Sequence, residues 1–314
     1  MKRGFMQKKI VIAVDDSVYS RHSVKYAVNV SKVIPDISYI LFNVQGSISQ
    51  YIIDEAKKNM QIQNELNKII KRNEAASHRI LVKYKDFIIN SGIDANRIEI
   101  ASQPKLQCVA KDILDFGQKH PYDAIVVGRR GFSRIQKTFM GSVTSNILEH
   151  CTAVPVWLTD GTITSSKIMV AMDGSISSMR AIDHLAFIVS NSDTADITLY
   201  YVIPKIKMIG AKNTGKNRND IDKIIETSSR HNIEHVFLKA KTLLEKAGLR
   251  ENQIHFKFSS RFLNPGKAII SESEKGNYGT IVVGRSGISK SIFMGSVSRY
   301  VINHISNRAV WVVS

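Results

Sequence analysis

Cysteine is nearly absent, with only Cys108 and Cys151 in 314 residues. Two such residues cannot build a disulfide framework, and their spacing matches no metal site. Long apolar runs are missing too, since nothing approaches the ~18 consecutive apolar residues of a membrane span. The basic start, MKRGFMQKK, lacks an apolar h-region, so no signal peptide is expected. Acidic side chains are scarce, 27 Asp and Glu against 44 Lys and Arg, which leaves a net charge of +17. The surplus is even: residues 1–160 carry 23 basic and 15 acidic side chains, and residues 161–314 carry 21 and 12. With no basic tail, no block of five or six like charges and no aromatic-basic motif, the surface attracts anions diffusely. It does not read as a nucleic-acid-binding arm. A hydrophobic content of 43% is that of a globular chain, and the length suits roughly two domains of about 150 residues. A cytoplasmic protein with no membrane association is expected.

Even charge prompts a search for a repeat, and four blocks recur in order. Lys9-Ile-Val-Ile-Ala-Val-Asp15-Asp16-Ser17 matches Lys167-Ile-Met-Val-Ala-Met-Asp173-Gly174-Ser175. Ala124-Ile-Val-Val-Gly128-Arg129-Arg130-Gly131 matches Thr280-Ile-Val-Val-Gly284-Arg285-Ser286-Gly287. Phe139-Met-Gly141-Ser142-Val143 recurs unchanged at 293–297, and Val156-Trp157-Leu158 pairs with Val310-Trp311-Val312. The offset drifts only from 158 to 154, the mark of a tandem duplication. Two domains are expected, residues 1–160 and 161–314, joined through the polar stretch from Thr159 to Ser166.

Within each half, short apolar runs alternate with helical spacing. Strands are expected at 10–14, 38–44, 97–101, 124–127 and 154–158, near-continuously apolar as in strands buried on both faces. Helices are expected at 17–31 with Ser17 as N-cap, at 105–119 and at 141–151. One long helix is expected from Ile52 to Asn90, phased by Ile52, Ala56, Met60, Leu66, Ile69 and Ile70 and ended by Ser91-Gly92. The second half repeats this, with Lys205 to Asp220 reading as a mobile loop. Alternation of this kind predicts two tandem open five-stranded parallel sheets flanked by helices, an α/β, Rossmann-like class. Trp157 and Trp311 read either as core or as marks of an edge strand through which the halves pair. His150 and His304, at matching helix ends, read as caps. His22 and His184 lack any partnering pattern, so no metal site is expected.

The chemistry gathers after the fourth strand. Gly128-x-x-Gly131, nine residues, then Gly141-Ser142 follows a strand and opens a helix. Glycines there let backbone amides approach a ligand, and the helix start favours an anion, most naturally phosphate. The Ser142 hydroxyl can cap that helix or bind a phosphate oxygen. Arg129, Arg130, Arg134 and Lys137 either neutralise phosphates or are merely solvated. Asp15 ends the first strand, as Asp173 does in the second half, and reads either as a ligand group or as a cap. In a sheet ordered 3-2-1-4-5, Asp15 and Gly128 flank the switch point where open α/β sheets bind ligands.

The Asp-x-Ser after the first strand and the G-x2-G-x9-G-[ST] loop resemble the universal stress protein family, its ATP-binding branch in tandem form. The resemblance covers 8–158 and 166–313 and implies an adenine-nucleotide α-hydrolase-like fold. It implies that Asp15 lines a nucleoside pocket and that the Val44 backbone meets adenine. Gly128, Arg129, Gly131, Gly141, Ser142 and Val143 would take ribose and phosphates. The second half retains Asp173, Val202, Gly284, Gly287, Gly295, Ser296 and Val297, but only seven residues separate Gly287 from Gly295. A smaller nucleotide, weak binding or an empty second site is expected.

The resemblance implies a stress-response protein that binds ATP or AMP, with or without Mg2+, and acts as a nucleotide-dependent regulatory or interaction module. The halves would pair with each other or in a further homodimer, with unidentified protein partners. The alternative is a nucleotide-free dimeric scaffold. No catalytic residue is expected beyond slow ATP hydrolysis, because no general base is placed for an attacking water. Neither Asp15-Asp16-Ser17-Val18 nor Asp173-Gly174-Ser175-Ile176 supplies the loop that adenylyl transferases or ATP pyrophosphatases need.

Overall fold

In a computed structural model, residues 7–129, 141–151, 153–204, 234–262, 264–286 and 294–314 are described. The chain divides into two compact units, one of residues 1–31 and 36–163, the other of 32–35 and 164–314. The first unit runs β1 (Lys8–Ala13), α1 (Val18–Val30), β2 (Ile37–Val44), α2 (Gln50–Ala56), α3 (Met60–Asn90) and β3 (Ile98–Gln103). It continues with α4 (Val109–Lys119), β4 (Ala124–Gly128), α5 (Ser142–His150) and β5 (Val156–Asp160). Its strands lie in the order β3-β2-β1-β4-β5, all parallel. Consecutive apolar residues are what such a sheet needs, and Ile10, Val11, Ile12, Ala124, Ile125 and Val126 are all buried. Helix α1 packs with α3, and α4 with α5, which makes two helical layers around the sheet.

The second unit repeats the plan with β6 (Ile168–Met172), α6 (Ile176–Ile188), β7 (Ile197–Pro204) and a helix α7 over 234–246. It ends with β8 (Ile254–Phe262), α8 (Pro265–Lys275), β9 (Thr280–Gly284), α9 (Ser296–His304) and β10 (Arg308–Val313). The order β8-β7-β6-β9-β10 is again parallel and again places the first and fourth strands side by side. The stretch Lys205 to Asp220 lies outside the described residues.

Two expected helices start or break elsewhere. The helix read from Ile52 to Asn90 is two, because the Asn59 side chain accepts from the Gln61 and Ile62 N–H groups and starts a new helix. Met60 had phased the single helix, yet it is 83% exposed, and the buried face is set instead by Leu66, Ser77, Leu81, Tyr84 and Ile88. Helix α4 begins at Val109 and not at Lys105. The Asp112 carboxylate accepts from the Leu106 and Gln107 N–H groups and holds that segment in a turn. Trp157 and Trp311 are both fully buried. His150 and His304 place Nδ1 2.9 Å and 2.8 Å from the carbonyls four residues earlier, in the last turn of α5 and α9.

Candidate functional site

Each unit holds a cavity at the carboxyl ends of its first and fourth strands. The first encloses about 360 Å3 and collects residues from segments far apart in sequence. Asp15 comes from the β1–α1 turn, Val44 from the end of β2, Gly128 from the end of β4, and Gly141, Ser142 and Val143 from the start of α5. Apolar walls come from Phe42, Val109 and Ile113, with the Phe42 ring stacked on Phe116 at 3.9 Å between centroids. Gly131 lies outside the described residues. Arg129 is not part of the described lining: its buried guanidinium turns towards Asp160, Nη1 to Oδ1 3.8 Å.

Asp15 is held tightly. Its Oδ1 accepts from the Ser17 N–H at 3.0 Å and from the Ser20 hydroxyl at 2.6 Å. Ser17 caps α1 by accepting the Ser20 N–H at 3.2 Å, so Asp15 braces the turn before the cap while also facing the cavity. Helix α3 supports the turn from outside. The Tyr84 hydroxyl donates to the carbonyls of Asp15 and Ser17 at 3.2 Å and 3.4 Å, and Lys83 Nζ lies 2.8 Å from Asp16 Oδ1. Burial, with the Asp15 and Asp16 carboxylates behind it, pushes the Tyr84 hydroxyl up to about 12, so it stays a neutral donor.

The glycine loop is fastened at both ends in both halves. Gly141 N–H donates to the Arg129 carbonyl at 3.0 Å, and Gly295 N–H to the Arg285 carbonyl at 2.9 Å. The Thr144 hydroxyl donates to the Gly128 carbonyl at 2.8 Å, and the Ser298 hydroxyl to the Gly284 carbonyl at 2.6 Å. Gly141 is itself the N-cap, so Ser142 is the first helical residue and its exposed hydroxyl is not the cap. The N–H groups of Ser142, Val143 and Thr144 have no intrahelical acceptor by the geometry of any helix start, and the dipole there favours an anion. Gly128 has a packing reason as well, since a Cβ there would sit 2.9 Å from Tyr19 Cβ on α1.

The second cavity encloses about 340 Å3, close to the first although the loop is two residues shorter. Asp173, Val202, Gly284, Gly295, Ser296 and Val297 all line it, while Gly287 lies outside the described residues. Its fittings differ. Ser178 sends its hydroxyl to the Ser175 carbonyl and not to Asp173, which among the described residues accepts from the Ser175 N–H alone, at 2.9 Å. Tyr200 and Tyr201 stand where the first cavity has Phe42 and Asn43, with Pro265 and Ile269 opposite.

The sequence reading missed Asn43, Ser77, Tyr84, Thr144 and Ser298. The hydroxyl shared by Thr144 and Ser298, at the third residue of each last helix, was visible in the repeat. Asn43 was visible as a polar residue interrupting the apolar stretch from Ile40 to Val44. Tyr84 and Ser77 carried no local signal, because only the fold brings α3 beside the β1–α1 turn. Among the described residues, no group of three or more His, Cys, Asp and Glu gathers as a metal site would need, and no helix is long and apolar enough to cross a membrane.

A sequence model described as the universal stress protein family matches residues 6–159 and again 164–314. A universal stress protein of Methanocaldococcus jannaschii is 26% identical over 153 residues, 48% of this chain and 82% of that protein. Among solved structures, a universal stress protein from Archaeoglobus fulgidus superposes with a TM-score of 0.64 at 20% identity, covering 99% of each chain. One from Pseudomonas aeruginosa gives 0.55 at 14% identity, over 98% of this chain and 93% of that one.

Proposed function

The chain belongs to the universal stress protein family, with one copy of the domain in each half, and we propose that the first half binds an adenine nucleotide, ATP or AMP. The observation that carries this reading is the convergence of Asp15, Val44, Gly128, Gly141, Ser142 and Val143 on one cavity beside the switch point. The apolar slot between Phe42, Val109 and Ile113 suits a flat base. The Val44 backbone at its rim presents an N–H and a C=O, which complement the acceptor and donor on the edge of adenine. Guanine carries the reverse pattern and leaves the N–H facing another donor. Ser142, Val143 and Thr144 turn three first-turn N–H groups towards the phosphates, and the Ser142 hydroxyl is left to join them. Asp15 suits ribose, and it is the one carboxylate in the described lining for a Mg2+ that accompanies ATP. The second half takes a nucleotide more weakly.

In this reading occupancy, and not turnover, is the output. The protein works as a cytoplasmic, nucleotide-dependent interaction module in a stress response, through protein partners of its own. Mass spectrometry of protein purified without added ATP, followed by titration with ATP and AMP, tests the reading. Protein that emerges empty and shows no saturable binding would favour the nucleotide-free scaffold. Gly141→Val should cut ATP affinity more than tenfold, roughly the loss of two backbone hydrogen bonds to phosphate. The Gly141 backbone, at φ −62° and ψ 146°, lies in a region open to any residue, and circular dichroism checks that the variant is folded. Unchanged ATP affinity in that variant would remove the phosphates from the start of α5.

A further inference from the structure

The two halves differ in how the sheet ends at the cavity. In the first half, β1 and β2 pair as far as Ala13 with Phe42, and the Val14 N–H still reaches the Phe42 carbonyl at 2.8 Å. The next ladder bond would join the Val44 N–H to the Val14 carbonyl. That carbonyl is taken instead by the Asn43 side chain, Nδ2 to O 2.6 Å. The amide is held in this orientation by Ser77 of α3, whose hydroxyl donates to Asn43 Oδ1 at 2.6 Å, with both residues buried. Successive residues of a parallel strand turn their backbone groups to opposite sides. Gln45 N–H goes to Gln103 of β3 at 2.9 Å, so Val44 faces the β1 side, where β1 has ended and the cavity begins.

In the second half the pairing runs one residue further, to Met172 with Tyr201. By the same alternation that extra pair sends the Val202 N–H to the Met172 carbonyl. Tyr201 stands in place of Asn43 and has no amide to take that carbonyl; its ring packs edge-on against Phe237.

We propose that Asn43, oriented by Ser77, is a positioning residue that sets the base selectivity of the first half: it occupies the Val14 carbonyl and so frees the Val44 N–H for the edge of a purine. The second half, with Val202 engaged in the sheet, does not read that edge. This rests on the adenine-nucleotide reading of the first cavity and adds which side chain makes it selective and why the halves differ.

Competition against labelling by 2-azido-ATP, with the labelled peptides mapped by mass spectrometry, reads each half separately. The competitors are ATP, GTP and inorganic tripolyphosphate, tested on the full chain, on Asn43→Leu and on Ser77→Ala. Ser77→Ala removes one oxygen from a buried helix face and keeps the test informative if Asn43→Leu fails to fold. In the wild type, ATP should compete at least about tenfold better than GTP in the first half, as expected for one made and one mismatched hydrogen bond. In the second half the two should compete nearly equally.

Asn43→Leu should lower ATP competition in the first half about five- to tenfold and bring the ATP-to-GTP ratio near one. Ser77→Ala should move the ratio the same way by about threefold, since one neutral hydrogen bond orients the amide. Tripolyphosphate competition should not change in either variant, a result that a general loosening of the fold would not give. First-half labelling that keeps the wild-type ratio in both variants overturns the role of Asn43 and leaves the nucleotide reading standing. Wild-type protein that takes no label in its first half overturns both.

Discussion

His184 on α6 lies with its imidazole 6.0 Å from the Trp311 ring, and burial pushes it down to about 4. In the unfolded chain a histidine titrates near 6.5. Between these values the unfolded chain binds the extra proton and the folded unit does not, so stability falls as pH drops from about 6.5 towards 4. Below the folded value both states are protonated and the loss is complete, about 3 kcal/mol as an order of magnitude. The matching residue of the first half is Tyr26, which carries no imidazole. Burial lowers His22 of the first half as well, but less far than His184, so acid should loosen both halves and the second one more. Hydrogen exchange at pH 5 and pH 7 should show faster opening at the lower pH in residues 164–314 of the wild type, and His184→Phe should flatten that difference. An equal pH response in the variant would mean that another group carries the proton linkage.

At the level of elements, the glycines ending β4 and β9 do two jobs. A Cβ at Gly284 would meet the Ser177 backbone at 2.6 Å and 2.7 Å, and one at Gly128 would meet Tyr19 Cβ at 2.9 Å. Helices α6 and α1 thus sit against the strand ends that hold the cavities. Gly284→Ala must push the α6 backbone aside and should cost about 2–3 kcal/mol, while Gly128→Ala meets mainly a side-chain carbon and should cost about 1–2. Urea unfolding compares the two, and an unshifted midpoint for Gly284→Ala would mean that α6 yields freely.

By sequence these glycines read either as room for a ligand or as a tight turn, because a motif shows only spacing and not what crowds the missing Cβ. Strands were legible since burial on both faces writes itself as an unbroken apolar run, as in Ile10–Val14 and Ala124–Val127. Helix α3 was harder: its break rests on one capping side chain, Asn59, and exposed Met60 happened to keep the helical phase. Of the residues the motifs and the resemblance single out, Asp15, Val44, Gly128, Gly141, Ser142 and Val143 line the first cavity. The groups that tune it, Asn43, Ser77 and Tyr84, act across elements, through contacts that linear spacing does not encode.

Across the whole molecule, duplication has kept the frame and changed the fittings. Both units share strand order, loop fastenings and cavity size, yet the first presents Asn43 and a doubly bonded Asp15 where the second presents Tyr201 and a singly bonded Asp173. The net charge of +17 is divided almost equally between them and cannot explain any difference in what they bind. Its role is long-range. A basic field raises the rate at which anions arrive and is screened over about 10 Å at 0.1 M salt. Retention of a nucleotide would depend instead on contacts inside the cavity, and the described lining of the first cavity contains no Lys or Arg, with Arg129 turned to Asp160.

If neutral N–H and hydroxyl donors hold the phosphates, salt should affect arrival and departure unequally. Stopped-flow binding of a fluorescent ATP analogue at about 0.05 M and about 0.5 M salt should show association slowing several-fold, with dissociation changing less than about twofold. Dissociation that accelerates in step with salt would place a charged side chain on the phosphates, with Arg130, Arg134 and Lys137 the first to replace by alanine.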